Sequence, residues 1–140
     1  MKILVAVDGS PYTKRMLAYL AAHDEWLGAH HDYTVVTVVP PVVARAAAVI
    51  AKDVLKAHHE DEAQKVFKPI RAFFERQGLK ATFVTRVGDP AAQVAATANK
   101  GGFDLLVFGS HGHGRLTGLV LGSVVAKCLA QTKVPVLIVR

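Results

Sequence analysis

The chain has 140 residues, 51% hydrophobic and 20% charged, a size and composition that predict one folded domain over residues 1–140 and exclude a disordered chain. The formal charge is +6, but the Lys and Arg residues are scattered and often lie near acids, so we do not expect a nucleic-acid partner. No apolar run reaches the roughly 18 residues of a membrane span, and the N-terminus lacks a signal-peptide pattern, so we expect a cytoplasmic protein without a membrane partner.

The first predicted strand and helix come at the start of the chain. Residues 2–7 form a short apolar strand, and Ser10 and Pro11 are residue types that cap and begin helices. Apolar residues then recur at helical spacing up to Gly28. Residues 33–39, rich in β-branched side chains, predict the second strand.

A long helix is predicted after the second strand. Residues 40–49 are assigned to a loop that can carry a helical turn, and the helix covers about 50–77. Pro69 is expected to kink or split it, and Gly78 to end it. Its predicted apolar stripe consists of Val54, Val66, Ile70, Phe73 and Phe74.

The second half of the chain predicts three further strands, over 80–87, 104–110 and 134–140. Asp89 and Pro90 begin the helix between the first two of them, and Gly122 opens the helix between the last two. Cys128, the only cysteine, is interpreted as a buried small hydrophobe in that last helix. Strands and helices therefore alternate along the whole chain.

This alternation, with strands that are almost continuously apolar, predicts a doubly wound α/β fold around a parallel sheet covered on both faces. Ligands of such sheets bind beyond the carboxyl ends of the strands, where the strand order reverses. The residues that follow the first and fourth strands are therefore the candidate site.

The segment after the fourth strand, from Gly109 to Ser123, is dense in glycine. Glycines let backbone amides approach a ligand closely. Gly122 and Ser123 directly precede a helix, whose free N–H groups and dipole favour an anion. The two features together predict a phosphate site.

The spacing of Gly109, Gly112, Gly122 and Ser123 resembles the motif of the universal stress protein family: a glycine, two residues, a second glycine, nine residues, then glycine and Ser or Thr. The likeness extends from the first strand to the last. It implies an adenine nucleotide alpha hydrolase-like, Rossmann-like fold with a five-stranded parallel sheet of order 3-2-1-4-5. It also implies that ATP, with Mg²⁺, binds with Gly112, Gly122, Ser123 and Val124 at the phosphates and Gly109 near the ribose.

Further candidate residues follow from the same resemblance. Asp8, after the first strand, is expected to contact the ribose or to help hold Mg²⁺, the alternative being a turn or cap residue. Val38 matches the family position whose backbone pairs with adenine, and it could equally be a core residue. Ala6 and Val7 are weaker candidates.

The glycine-rich loop also carries polar side chains. We include Ser110 and His111, which lie between the first two motif glycines, in the candidate nucleotide site. His113 and Arg115, which follow the second glycine, are considered as further contacts. The histidines and Arg115 could donate to phosphate or point into solvent. We assign no catalytic residue.

Other sites are disfavoured by the sequence. A P-loop needs a Gly-Lys pair, which is missing, and no acidic residue follows Gly118 as a dinucleotide fingerprint requires. The loop after the first strand also lacks the Ser-Gly-Gly pattern of ATP pyrophosphatases. The pairs His30-His31 and His58-His59 have no acidic or cysteine partner at ligand spacing and are interpreted as solvated rather than metal-binding.

The family's strand order places the last segment, 134–140, at an edge of the sheet, where an apolar strand needs a cover. We expect it to pair with its copy in a homodimer. The preferred function is a nucleotide-dependent regulatory protein whose loop at 113–121 changes its order when ATP binds. A slow ATPase that uses His111 or Asp8, and a nucleotide-free dimerisation module, remain as alternatives.

Overall fold

The computed structural model describes residues 1–114, 118 and 120–140. Its elements are β1 (Lys2–Ala6), α1 (Pro11–Ala22), α2 (Asp24–Leu27), β2 (Asp32–Val39), α3 (Ala44–Ala47), α4 (Lys52–Arg76), β3 (Ala81–Val87), α5 (Pro90–Lys100), β4 (Leu105–Gly109), α6 (Ser123–Gln131) and β5 (Val136–Val139). All neighbouring strands are parallel, in the order β3-β2-β1-β4-β5. The predicted doubly wound fold is confirmed.

The sheet has one hydrophobic core on each face, because alternate residues of its central strands point in opposite directions. Ile3 and Val5 of β1 belong to the core that α1 and α4 cover, whereas Leu4 belongs to the core under α5 and α6. Cys128 lies in this second core with no exposed surface, so its predicted burial is confirmed.

The two predicted helix caps are present. Ser10 Oγ accepts a hydrogen bond from Thr13 N at 3.4 Å, and Asp89 Oδ2 accepts one from Ala92 N at 2.9 Å. Each bond satisfies an amide at the start of a helix, which has no partner within the helix itself. These caps fix where the chain leaves β1 and β3.

The predicted apolar stripe of α4 is partly wrong. Val54 is 56% exposed, and Phe67, which the sequence interpretation omitted, is buried. The helix is not split at Pro69, which lies inside one continuous helix. The neighbouring Ile70 is buried in the first core, and this packing keeps the helix against the sheet where the proline removes a backbone hydrogen bond.

The chain between β1 and β2 differs from prediction in two ways. The first helix ends at Ala22, and α2 forms a separate short helix before Gly28. His31 is buried rather than solvated, and its Nε2 lies 2.8 Å from the carbonyl oxygen of Trp26. A histidine can be buried here because that carbonyl gives its ring a hydrogen-bond partner.

Within the part of the chain that the structure describes, no helix is both long enough and apolar enough to cross a membrane.

Candidate functional site

A cavity of about 450 Å³ opens beyond the carboxyl ends of β1, β2 and β4. The strand order reverses at β1, which has β2 on one side and β4 on the other. The cavity therefore lies at the switch point, where doubly wound sheets bind ligands. The volume lies within the range of small-molecule sites. Most of the predicted site residues line this cavity: Ala6, Val7, Asp8, Val38, Gly109, His111, Gly112, His113, Gly122, Ser123 and Val124.

One end of the cavity is apolar and lies against β2. Val38, Val39 and Pro40 form one wall there. Side chains from two other elements complete it, Val94 from α5 and Phe108 from β4. A flat heteroaromatic ring would be buried between apolar side chains in this position.

The backbone of Val38 faces the cavity without a strand opposite it. The carbonyl of Val36 accepts a hydrogen bond from Val7 N at 2.9 Å, on the β1 side of β2. Because backbone groups two residues apart point to the same side of a strand, the N–H and C=O of Val38 point that way too. β1 ends at Ala6, which is paired with Val36, so it has no residue opposite Val38.

Asp8 lies between the turn that follows β1 and the glycine-rich loop. Its Oδ1 accepts hydrogen bonds from Ser10 N at 2.9 Å and from Thr13 Oγ1 at 3.0 Å. Its Oδ2 faces the loop, since a Cβ built on Gly112 would lie 2.5 Å from it. Asp8 therefore has a structural role through one oxygen and presents the other to the cavity.

The three motif glycines are required for different reasons. Gly109 packs against α1, where a Cβ would lie 2.8 Å from Tyr12 Cβ. Gly112 leaves room for the Asp8 carboxylate, and a Cβ on Gly122 would lie 3.1 Å from His111 Cα. Each position is too close to its neighbour for a side chain to fit without movement.

Gly122 also begins α6 beside the cavity. Its N–H donates to the Ser110 carbonyl at 2.8 Å, and no side chain of the described residues caps the helix. Ser123 and Val124, in the first turn, line the cavity, and the first-turn amides of a helix have no partner within it. The positive end of α6 therefore faces the cavity, as a phosphate site requires.

The polar residues of the glycine-rich loop differ in their surroundings. Ser110 is buried and does not line the cavity, and its Oγ lies 3.0 Å from His111 Nδ1. His113 Nε2 contacts the Asp8 carbonyl oxygen at 2.6 Å, which ties the loop to the β1 turn. Arg115, and most of the predicted loop at 113–121 beyond Gly114, lie outside the described residues.

Some residues of the cavity were not found from the sequence. Glu62 and Val66 reach it from α4, and Thr13 from α1. A hydrogen bond from Lys65, 2.7 Å away, lowers the pKa of the Glu62 carboxyl, so Glu62 carries a negative charge at neutral pH. Thr13 could have been suspected from its place after the cap, whereas the α4 residues have no local signal.

The Universal stress protein family model matches residues 1–140. The chain belongs to the universal stress protein family. Its resemblance to that family, first inferred from the glycine motif, is thereby confirmed over the whole length.

Three relatives differ in how much of their length the match covers. The stress response protein NhaX of Bacillus subtilis is 31% identical, over 99% of this chain and 97% of NhaX. Universal stress protein Slr1230 of Synechocystis is 29% identical over 99% of this chain, which spans only 42% of that protein. Universal stress protein MJ0577 of Methanocaldococcus jannaschii is 31% identical over 61% of this chain and 53% of its own length.

Solved structures of the family share the fold. The MJ0577 structure has a TM-score of 0.82 at 27% identity and covers 99% of this chain and 94% of its own. The Archaeoglobus fulgidus universal stress protein in complex with dAMP has a TM-score of 0.69 at 20% identity, covering 100% of this chain and 98% of that one. A universal stress protein in complex with cAMP has a TM-score of 0.66 at 22% identity, covering 100% and 96%. The last two likenesses concern the fold alone.

Proposed function

We propose that this universal stress protein binds an adenine nucleotide, ATP with Mg²⁺, in the cytoplasm and acts as a nucleotide-dependent regulator. The observation that carries this proposal is the composition of one cavity. It has an apolar end with an open backbone edge and, at its other end, a helix N-terminus that no described side chain caps, beside a glycine-rich loop. A nucleotide has the same two parts, a heteroaromatic base and phosphates. Family structures in complex with dAMP and cAMP support this ligand class.

The adenine ring is assigned to the apolar end. The N–H and C=O of Val38 can pair with its polar edge, as successive backbone groups of a strand do with a neighbouring strand. Val94 and Phe108, which line the cavity from the second core, supply apolar contact for the ring.

The phosphates are assigned to the first turn of α6. Amides of Ser123 and Val124 and the close backbone of Gly112 are available there, and the helix dipole adds to their attraction for negative charge. Asp8 and Glu62 also line the cavity, so carboxylates as well as phosphates would meet in it. This crowding of negative charge favours a nucleotide that arrives with a divalent cation.

Asp8 fits a role in holding Mg²⁺. Oδ1 already has two hydrogen bonds, and Oδ2 is the oxygen that faces the loop. Among the described residues, no cluster of three potential metal ligands exists. Mg²⁺ is commonly bound through one or two carboxylates, phosphate oxygens and water, so the single free oxygen of Asp8 is sufficient.

Isothermal titration calorimetry and thermal unfolding with Mg-ATP, ADP, AMP and cAMP test the proposal on nucleotide-free protein. At about one hundred times the Kd, binding should stabilise the native state by about 2.7 kcal/mol, or on the order of 8 °C. Gly112→Ala should weaken Mg-ATP binding by about tenfold, or about 1.4 kcal/mol, because its methyl group would lie 2.5 Å from Oδ2 of Asp8 and displace that carboxylate. Gly114 lines the same cavity, but its methyl group would meet no atom of the described residues within 4 Å, so Gly114→Ala is the matched control.

The outcomes separate the candidate functions. Binding in the wild type and in Gly114→Ala, with loss in Gly112→Ala, supports the nucleotide site. Phosphate release that accompanies binding and disappears in Gly112→Ala would make the protein a slow ATPase. No heat and no stabilisation with any of the four nucleotides would refute the proposal and leave the dimerisation module.

We also propose that the C-terminal segment 134–140 forms a homodimer. Its strand β5 lies at the edge of the sheet, and Val136, Leu137 and Ile138 are only partly buried. An apolar edge of this kind is stabilised by pairing with a copy across a twofold axis. Light scattering should give twice the monomer mass, and Leu137→Lys should give the monomer mass if the pairing is correct.

A further inference from the structure

A second cavity, here called the α5 groove, lies between α5 and the outer edge of the sheet and has a volume of about 420 Å³. Val84 and Arg86 of the edge strand β3 line one side, and Thr97 and Lys100 of α5 line the other. The α5 groove shares no described lining residue with the candidate nucleotide cavity. It is therefore a separate place on the molecule.

The α5 groove is positively charged. Arg86 and Lys100 both line it, and none of its described lining residues is acidic. Within the described residues, neither cation forms an ion pair with a carboxylate. Arg86 donates through Nε to Thr97 Oγ1 at 3.4 Å, which leaves its terminal guanidinium nitrogens for a ligand.

The end of α5 does not cancel this charge. The carbonyl end of a helix repels anions, and α5 ends at Lys100 beside the groove. However, Lys2 Nζ donates to the carbonyl oxygen of Gly101 at 2.8 Å and lies 5.3 Å from the centre of the Phe103 ring. Lys2 and Lys100 thus place two positive charges at this helix end, beside one carboxylate, Asp104, whose Oδ2 accepts a hydrogen bond from Lys2 N at 2.8 Å.

The α5 groove also offers apolar contact. Val84, Ala96 and Phe103 line it together with the two cations. A site that combines cations with aliphatic and aromatic surface suits a small molecule that has both an anionic and an apolar part. Its volume is sufficient for one such molecule.

We propose that the α5 groove binds a small organic anion. Arg86 and Lys100 hold its phosphate or carboxylate group, and Val84 and Phe103 contact its apolar part. The formal charge of +6 increases the rate at which such anions reach the surface. This site is independent of nucleotide binding at the switch point.

NMR titration of ¹⁵N-labelled protein with phenyl phosphate, benzoate and the neutral control benzyl alcohol tests the proposal at constant ionic strength. Phenyl phosphate or benzoate should shift the amides of Val84, Thr97 and Gly101 saturably, and added salt should weaken this binding. The amides of Gly112 and Ser123 report any separate binding in the nucleotide cavity.

The variants Arg86→Gln and Lys100→Gln should each weaken binding at the groove about threefold to fivefold, the effect of a partly exposed ion pair. Lys80→Gln removes the same charge just before β3, outside the groove, and is the matched control. All three side chains are exposed, so the variants should keep native spectra.

The result with each probe is decisive. Binding of phenyl phosphate alone identifies a phosphate site, and binding of benzoate alone a carboxylate site; both support the proposal. It is overturned if neither anion gives saturable shifts at the groove amides, or if benzyl alcohol binds equally. It is also overturned if the affinity falls as much in Lys80→Gln as in Arg86→Gln and Lys100→Gln.

Discussion

Gly109 ends β4 beneath α1, and its missing side chain makes room for the backbone of that helix. A Cβ at this position would lie 2.8 Å from Tyr12 Cβ and 2.9 Å from the Tyr12 carbonyl oxygen, well inside the roughly 3.5–4.0 Å of favourable contact. The carbonyl belongs to a helix and cannot rotate away. Gly109→Ala should therefore push α1 from the sheet, at a cost of about 1–3 kcal/mol.

Urea unfolding, followed by circular dichroism, measures this loss as a lower midpoint, and a thermal scan should show a decrease of roughly 3–10 °C. Gly114→Ala is again the control, because no atom of the described residues lies within 4 Å of its Cβ and its φ is not positive. It should be neutral or should stabilise the fold by up to about 1 kcal/mol, since alanine restricts the unfolded chain. An unchanged midpoint for Gly109→Ala would refute the packing argument.

Three further predictions concern buried polar groups. His59 Nε2 is buried without a hydrogen-bond partner among the described residues, so His59→Leu should raise the free energy of unfolding by about 1 kcal/mol. The same change at the exposed His58 is the control. A lower urea midpoint for His59→Leu would contradict this prediction. Burial raises the pKa of Tyr33 to about 12, so the folded state favours the neutral phenol and stability should be lost as pH rises from about 10 to 12. Tyr33→Phe should remove that slope from urea midpoints measured across this range, and an unchanged slope would argue against the assignment. Burial also raises the pKa of Cys128 to about 11, so a thiol reagent at pH 8 should modify it only as fast as the protein opens, and immediate modification of the native protein would oppose this.

The order of the strands and helices could be predicted from the sequence because its signals are local. Ser10 and Asp89 cap their helices through bonds to amides three residues away, and such contacts are determined by neighbours along the chain. The apolar strands indicated a parallel sheet for the same reason. The glycine-rich loop before α6 was recognisable because the spacing of its glycines is itself a sequence feature.

The exposure of individual helix residues depended on tertiary packing. Val54 and Phe67 both fit a helical stripe, but only Phe67 lies where α4 crosses the sheet. His31 is buried because the chain between α2 and β2 brings the Trp26 carbonyl to its ring. Neither the crossing of α4 nor that approach has a signal in the local sequence.

The composition of the site was likewise decided only in part by sequence. The motif marked Gly109, Gly112 and Gly122 as candidate site residues. The physical reason that each position needs a glycine is a different neighbour: helix α1, the Asp8 carboxylate and the backbone of His111. Ser110 lies inside the motif, yet the fold buries it away from the cavity. Glu62, which lies more than fifty residues after β1 along the chain, reaches the cavity from α4. Sequence determines which groups can bind a ligand, whereas the packing of helices on the sheet determines which of them face it.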